Sequence, residues 1–301
     1  MPSKSESLVP VAALSPALRR LADYVALTRP GINVLVGVAT LAGFYMARTG
    51  HFGVVLLFHT LIGTVLVGSG AGVLNQVWER NSDALMARTR NRPISAGRIG
   101  SIEGTVFGLV LALGGAAYLA SLVNLTAASV GAFSALVYVV VYTPLKSRTV
   151  LSTVIGAVPG GLPTLIGWTA AGGVLDARAS SLFAILFLWQ LPHFLAISWV
   201  HREDYERAGT VNLAVTDPQG RLCSRQAFYY SLVLLPVTLI PSFLELTGTL
   251  YLSCALVLGL VFIGYCFRFM RTRSLQAAKH LFWYSIIYLP VLYIAMMLDR
   301  I

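Results

Sequence analysis

Charged residues are scarce in this sequence and absent from long stretches of it. Asp, Glu, Lys and Arg make up 11% of the 301 residues, whereas a soluble globular domain carries about 25%. The stretches without any of them are 30–47, 49–78, 104–145, 149–175, 179–201, 226–244, 246–267 and 280–298. Because such stretches offer no charged surface to solvent, the pattern excludes a water-soluble globular fold.

The sequence also argues against a zinc or disulfide protein and against a nucleic-acid-binding protein. The three cysteines, Cys223, Cys254 and Cys266, form no CxxC pair, so we interpret them as structural and predict neither a zinc site nor a disulfide. The net charge is +10, which would suit nucleic acid. Membrane topology explains this charge more simply, and we predict no nucleic-acid partner.

What the sequence does contain is apolar segments of membrane-spanning length. A helix needs about 20 apolar residues to cross a hydrocarbon core of about 30 Å. Seven of the uncharged stretches fit one crossing each, and 104–145 fits two with a break near Asn124. This predicts an all-α polytopic membrane protein with nine transmembrane helices. The predicted spans are 31–47, 52–77, 104–122, 126–143, 151–172, 180–200, 228–244, 248–267 and 281–298.

The positive charges lie mostly on one side of this predicted topology. With nine spans, every Lys and Arg except Arg48, Arg178 and Arg300 falls on the side of the N-terminus. The positive-inside rule then places the N-terminus in the cytoplasm. We interpret residues 1–30 as a cytoplasmic tail with an interfacial helix, and residues 31–301 as a single transmembrane domain. In that helix Tyr24 is expected to face lipid, and the arginines to face headgroups. The arginines are Arg19, Arg20 and Arg29.

Acidic side chains at one helix end are the most informative feature of the chain. Asn75, Glu79 and Asp83 are spaced four apart, which places them on one face of a helix. Carboxylates at a helix C-terminus oppose the helix dipole, and burying them is costly. Mg²⁺ would resolve both problems, since it binds one or two carboxylates together with phosphate oxygens. The arginines that follow suit bidentate phosphate contacts. They are Arg88, Arg90 and Arg92.

A second acidic pair, Glu203 and Asp204, follows four predicted helices later, and parity places it on the same membrane side. Two acidic sites on one side favour Mg²⁺ ions that clamp one pyrophosphate. Between them, Tyr142, Lys146 and Arg148 offer a hydroxyl and two cations to the leaving group. The other interpretation of these loops is that their cations only anchor the topology. It explains the arginines, and Lys146 when taken singly, but not Glu79 and Asp83.

One histidine lies inside a predicted span. His193 follows Pro192 in the sixth helix, and ionisable groups within the membrane are expensive and commonly functional. Two interpretations stay open at this point. The imidazole hydrogen-bonds a backbone carbonyl freed by Pro192, or it binds a cofactor or an aromatic substrate.

These motifs together resemble a known family. Asn75-x₃-Glu79-x₃-Asp83 is similar to the first acidic motif of the UbiA-type intramembrane prenyltransferase superfamily, and Tyr142-x₃-Lys146 to its middle loop. Within it, the chain resembles the protoheme IX farnesyltransferase (heme O synthase) branch. That closer resemblance is carried by Asp83-x₂-Met86-x-Arg88-Thr89-x₂-Arg92-Pro93, Lys146-x-Arg148-Thr149, Trp189-Gln-x-Pro192-His193-Phe194 and Glu203-Asp204-Tyr205-x₂-Ala208-Gly209. The chain departs from the branch in Thr210-Val-Asn-Leu-Ala, and His201 stands where other superfamily members have a carboxylate.

The resemblance implies a UbiA-type helical bundle in the cell (inner) membrane, with cytoplasmic active-site loops. It implies farnesyl transfer from farnesyl diphosphate to a vinyl group of heme B, giving heme O. The Mg²⁺ ligands would be Asn75, Glu79, Asp83, Glu203 and Asp204. The diphosphate ligands would be Arg88, Arg92, Tyr142, Lys146 and Arg148. Trp189 and His193 are the residues expected beside the heme.

Two other functions stay open at the level of sequence. One is the same chemistry on another aromatic acceptor, such as 4-hydroxybenzoate or a quinone precursor, and only the finer motifs, chiefly Trp189 to Phe194, argue against it. The other is transport of an anionic substrate, although transporters place ionisable groups near the midplane, whereas those of this chain lie at one edge. A heme-modifying or oxidase-assembly partner would be consistent with the resemblance.

Overall fold

The computed structural model describes residues 15–47, 50 and 53–301. The predicted cytoplasmic tail lies mostly outside this range, as do Arg48 and His51. Within the described residues the secondary structure is helical, apart from an isolated bridge between Thr247 and Arg300. The prediction of an all-α protein is confirmed.

The helices run in chain order from α1 to α14. They are α1 (Pro16–Leu27), α2 (Pro30–Ala47), α3 (Val54–Trp78), α4 (Arg80–Leu85), α5 (Ser101–Leu122), α6 (Leu125–Leu136), α7 (Thr143–Leu145), α8 (Ser152–Ala170), α9 (Ala177–Val200), α10 (Arg202–Arg207), α11 (Leu213–Thr216), α12 (Arg221–Phe243), α13 (Thr249–Thr272) and α14 (Leu275–Leu298). A π-helical segment, Val137–Tyr142, joins α6 to α7 in one continuous rod. The break predicted near Asn124 is confirmed, since the Asn124 side chain caps α6 by accepting a hydrogen bond from the Ala127 N–H at 2.8 Å.

Nine long helices of the described chain match the nine predicted spans in position. Eight of them are long and apolar enough to cross a membrane. The ninth, α8, has 19 residues, and its glycines, prolines and threonines dilute its apolar content. It is instead a largely buried helix that packs against α2, α6 and α9. A crossing by α8 therefore stays a prediction.

The buried side chains form two main groups with a cavity between them. One group joins α9, α12, α13 and α14, and the other joins α3, α5, α6 and α8. A cavity of about 740 Å³ is lined from both sides, by α2, α3, α6 and α8 and by α9 and α14. Its position between the two halves brings chemistry from distant parts of the chain to one space.

Polar contacts join α1, which we predicted to lie at the membrane interface, to the rest of the bundle. Arg20 pairs with Glu103 at 2.6 Å, and Asp23 pairs with Arg98 at 2.9 Å. Tyr24 hydrogen-bonds Glu103 and packs edge-on against Phe107 of α5. The expectation that Tyr24 faces lipid is therefore wrong, because its hydroxyl finds a carboxylate on the neighbouring helix.

Close approach of α2 and α8 depends on two glycines. A Cβ atom at Gly167 would lie 1.9 Å from the Thr40 carbonyl oxygen, and one at Gly43 would lie 1.9 Å from the Thr164 carbonyl oxygen. Small residues let transmembrane helices pack backbone to backbone in this way. The cavity wall formed by α2 and α8 therefore depends on this contact.

We expect Gly167→Ala to destabilise the protein by about 1–3 kcal/mol, because the added methyl group forces α8 away from α2. The measurement is the thermal unfolding midpoint in detergent. Gly114→Ala is the matched control, since Gly114 lies inside α5 with no atom within 4 Å of its Cβ position, and alanine has the higher helix propensity. Equal midpoints for the two variants would contradict the proposed contact.

Candidate active site

Three polar segments meet at one end of the bundle. The first segment follows α3, the second surrounds α7, and the third follows α9. The first and second are joined by Lys146 Nζ, which lies 2.9 Å from the Glu79 carboxylate. The second and third are joined by the Val211 N–H, which donates to the Lys146 carbonyl at 3.1 Å. The third returns to the first through the Ala87 N–H, which donates to Asp204 Oδ1 at 3.2 Å.

The first acidic motif is buried, although its helix is interrupted. The α3 helix ends at Trp78, Glu79 leaves helical geometry, and α4 continues from Arg80. Backbone hydrogen bonds from Glu79 to Asn75 and from Asp83 to Glu79 still keep the four-residue spacing. Asn75, Glu79 and Asp83 are all buried. The predicted shared face therefore exists, and it turns inward.

Each carboxylate of the first motif meets a cation. Glu79 pairs with Lys146 as described above, and Asp83 Oδ2 accepts from Arg92 at 2.6 Å. The loop is fixed by Thr89, whose hydroxyl donates to the Asp83 carbonyl at 2.8 Å. Asp83 Oδ1 is buried and has no hydrogen-bond partner among the described residues. A buried carboxylate oxygen without a partner is costly, and a bound cation would satisfy it.

The second acidic pair divides between the site and the surface. Asp204 is buried and accepts hydrogen bonds from the Ala87 N–H and from Arg207. Glu203 is exposed. The structure thus brings Asp204 to the first loop and leaves Glu203 outside, because neighbouring residues at a helix start point in different directions.

The predicted diphosphate ligands are also divided. Lys146 and Tyr142 line the cavity, and Arg92 is held at Asp83. Arg88 is exposed, and its guanidinium lies over the Tyr205 ring at 4.8 Å. Arg148 is exposed after α7. Arg92, Lys146 and Tyr142 therefore lie within the cluster or its cavity, and Arg88 borders the cavity at Tyr205, which lines it.

One cation of the site, Arg29, was not predicted as a site residue from the sequence. Arg29, which we expected to face headgroups, donates instead to Asn75 Oδ1 at 3.1 Å and lines the cavity. Its Nε is buried without a partner in the described chain. Arg29 has a φ of +53° at the junction of α1 and α2, and that turn aims its side chain inward. Because the contact joins residues 46 positions apart, no local pattern could have indicated it.

Burial and neighbouring charges shift the pKa values of these groups. Burial alone would raise the pKa of Asp204, but hydrogen bonds from Arg207 and the Ala87 N–H outweigh it and hold the pKa below its ordinary value. Burial opposes protonation of Lys146, yet Tyr142 and Glu79 raise its pKa above the ordinary value. Desolvation and the neighbouring Arg29 lower the pKa of Arg92. The cluster therefore holds fixed charges of both signs at neutral pH.

The cavity extends from this cluster into the apolar interior. Arg29, Tyr142 and Lys146 line its polar end, and Trp189 and His193 line its deeper wall. The Tyr142 ring stacks on Tyr138 at a centroid distance of 5.3 Å. An anionic head beside the cations and an apolar tail among the helices fit this shape.

His193 is held by α14. Its Nδ1 lies 2.7 Å from the Ser285 hydroxyl oxygen, and its ring stacks on Trp189 and Phe282, each at a centroid distance of 5.1 Å. Of the two interpretations left open for His193, the structure does not show the bond to a carbonyl freed by Pro192, because a side chain of another helix pairs with Nδ1. The sequence could not have indicated Ser285, which is 92 positions away.

The donor set fits a divalent cation that a substrate completes. Within residues 15–47, 50 and 53–301, no three Asp, Glu, His or Cys side chains form a metal-binding group by themselves. Asp83 Oδ1 nevertheless offers a hard, unpartnered oxygen, and Ala87 of the same loop contacts Asp204. Mg²⁺ characteristically takes one or two carboxylates and completes its shell with water and phosphate oxygens.

Proteins named protoheme IX farnesyltransferase are similar to nearly the whole chain. The protoheme IX farnesyltransferase of Solibacter usitatus is 42% identical over 287 residues, which cover 92% of this chain and 98% of that protein. The protein of the same name from Myxococcus xanthus is 40% identical over 303 residues, which cover 100% and 99%.

Solved structures share the fold at low sequence identity. A digeranylgeranylglyceryl phosphate synthase superposes with a TM-score of 0.78 at 16% identity, covering 93% of this chain and 98% of its own. A UbiA homolog from Archaeoglobus fulgidus, solved with GPP and Mg²⁺, superposes with a TM-score of 0.65 at 13% identity and covers 91% and 99%. The family model for UbiA prenyltransferases matches residues 36–287. The resemblance noted in the sequence is confirmed, and this chain belongs to the UbiA prenyltransferase family.

Proposed function

We propose that this chain transfers the farnesyl group of farnesyl diphosphate to a vinyl group of heme B, giving heme O and diphosphate. The observation that carries the proposal is the cluster of Glu79, Asp83 and Lys146 at the polar end of an apolar cavity of about 740 Å³. The identity of the acceptor is supported by relatives named protoheme IX farnesyltransferase, which are 36–42% identical over more than nine-tenths of the chain.

Mg²⁺ is the metal that we propose for this site. Asp83 and Asp204 would hold it, with Glu79 and Asn75 assisting. Glu203 was also predicted as a ligand, but its exposure argues against that role. When bound, Mg²⁺ neutralises charge on the diphosphate oxygens and so makes diphosphate a better leaving group.

The residues of the chain complete the stabilisation of the leaving group. Lys146 and Arg29 line the polar end of the cavity, and Arg92 lies nearby at Asp83. These cations offset the negative charge that grows as the bond between C1 of farnesyl and the diphosphate oxygen breaks. The electron pair of that bond leaves with the diphosphate. The Tyr142 ring faces the same space, where its π face favours the allylic cation.

The acceptor chemistry needs no nucleophilic side chain. The π electrons of the heme vinyl group form the new bond to C1 of farnesyl, which leaves a cation on the vinyl carbon next to the porphyrin. Water adds to this cation and loses a proton, which gives the hydroxyl group of heme O. We propose that His193 and Trp189 contact the heme, because both line the deeper wall of the cavity.

The membrane setting of the reaction follows from the substrates. The isoprenoid lies among apolar helices, while diphosphate stays at the cytoplasmic edge. We propose a multi-pass protein of the inner membrane, with residues 31–301 as the transmembrane domain and the acidic loops in the cytoplasm. A heme-modifying enzyme that accepts heme O is the partner that this activity calls for.

The direct test uses purified protein with heme B, farnesyl diphosphate and Mg²⁺, and detects heme O by mass. We expect product with Mg²⁺ and none after chelation by EDTA, with recovery when excess Mg²⁺ is added. A parallel reaction replaces heme B with 4-hydroxybenzoate. Prenylated 4-hydroxybenzoate without heme O would contradict the proposed acceptor, and full activity in EDTA would contradict the proposed metal.

A further inference from the structure

Ser285 of α14 makes two separate contacts with one face of α9. Its hydroxyl lies 2.7 Å from His193 Nδ1, and its carbonyl accepts a hydrogen bond from Trp189 Nε1 at 2.9 Å. The side chain of Ser285 is fully buried. One residue of α14 therefore fixes two rings that stack on each other and line the cavity.

The hydrogen bonds of Ser285 select one tautomer of His193. The Ser285 hydroxyl donates its proton to the Phe282 carbonyl at 2.6 Å, so toward His193 the oxygen acts as an acceptor. Nδ1 of His193 must then carry the ring proton, and Nε2 of the neutral imidazole keeps its lone pair. This assignment of the tautomer follows because a hydroxyl group can donate only one hydrogen bond.

The lone pair of Nε2 is left facing the cavity. Trp189 and Phe282 cover the two faces of the imidazole, at interplanar angles of 19° and 27°. Ser285 occupies the Nδ1 edge. Within the described chain, no group hydrogen-bonds Nε2, and His193 is partly exposed to the cavity that it lines.

We infer that His193 Nε2 is an axial ligand of the heme iron of the acceptor, and that Ser285 is the positioning residue that orients it. The inference rests on the proposed function and extends it to the way in which the porphyrin is held. Neutral imidazole with a hydrogen-bonded second nitrogen is the form in which histidine binds metals. Iron ligation fixes the centre of the porphyrin, so that a vinyl group at its rim reaches toward C1 of farnesyl at the polar end.

The experiment measures heme B binding to purified, folded protein without farnesyl diphosphate. We expect the ferrous complex to show an iron–histidine stretching band by resonance Raman spectroscopy. His193→Ala should abolish this band, and added imidazole should restore an imidazole-ligated spectrum. Ser285→Ala should shift the band and weaken heme affinity by about 10-fold or more, in line with other hydrogen-bond partners of metal-binding histidines.

Two further variants separate positioning from packing. Ser285→Thr keeps the hydroxyl and should retain the wild-type band. Ser231→Ala is the matched control, because Ser231 is also a buried serine whose hydroxyl donates to the carbonyl three residues earlier, at 2.7 Å. It should change neither the band nor the affinity. Ser285→Ala leaves the Trp189 contact intact, since that contact uses the backbone carbonyl.

The outcomes distinguish this inference from the proposed function. Wild-type protein that makes heme O but lacks the iron–histidine band would overturn the inference and leave the function standing. Protein that shows the band but makes no heme O would overturn the function alone. An unchanged band and affinity in Ser285→Ala would overturn the positioning role of Ser285.

Discussion

Asp83→Asn is expected to lower the rate of heme O formation by about 10³-fold while the protein stays folded. Asparagine has the same shape as aspartate, so its amide oxygen can still accept the hydrogen bond from Arg92 that Asp83 Oδ2 accepts at 2.6 Å. What it removes is the negative charge on the buried, unpartnered Oδ1. Asp83 is proposed to hold the Mg²⁺ that offsets the charge developing on the diphosphate, and losing one such electrostatic contribution commonly costs 10²–10³-fold or about 3–4 kcal/mol.

The check is the rate of heme O formation at saturating substrates, together with the thermal unfolding midpoint in detergent. Asp23→Asn is the matched control, because Asp23 also forms an ion pair with an arginine, at 2.9 Å, but lies on α1 away from the cavity. It should keep the wild-type rate. An Asp83→Asn protein with near wild-type activity would remove Asp83 from the site.

Lys146→Met is expected to lower the rate by about 10²–10³-fold and also to destabilise the protein. The loss of rate follows from the missing cation at the leaving group. The loss of stability follows from Glu79, which is buried and is left without its partner at 2.9 Å. Removing one member of a buried ion pair costs about 3–5 kcal/mol. Rate and unfolding midpoint are the two measurements.

A double variant separates the two effects. Lys146→Met combined with Glu79→Gln removes both charges, so the unfolding midpoint should return toward that of the wild type while activity stays low. Lys146→Arg keeps a cation and should retain part of the rate. If the double variant recovered both stability and activity, the Lys146–Glu79 pair would be purely structural.

Much of the site could be predicted from the sequence, because carboxylates at the ends of membrane-spanning helices are costly to bury and therefore indicate a function. The spacing of Asn75, Glu79 and Asp83 predicted a shared face, and the structure buries all three. The parity of the spans predicted that Asp204 lies on the same membrane side, and its carboxylate contacts Ala87. Their roles as metal ligands stay predictions.

The errors share one cause. Arg29 was expected to face headgroups and instead contacts Asn75, and Tyr24 was expected to face lipid and instead contacts Glu103. Periodicity along one helix reports which residues are polar, whereas the neighbouring helix decides where each polar group finds its partner. Both residues lie on or beside an amphipathic helix, where either direction satisfies the pattern.

By itself, the sequence determined the helical architecture, the approximate limits of the spans and the fact that the two acidic loops share one end of the bundle. These properties are local, because the cost of placing a charge in hydrocarbon acts on each segment separately. Only the tertiary structure decided that Lys146 meets Glu79, that Asp83 keeps one free oxygen and that Ser285 orients His193. Those contacts join helices that are far apart in the chain, and the packing of the whole bundle determines which side chains meet.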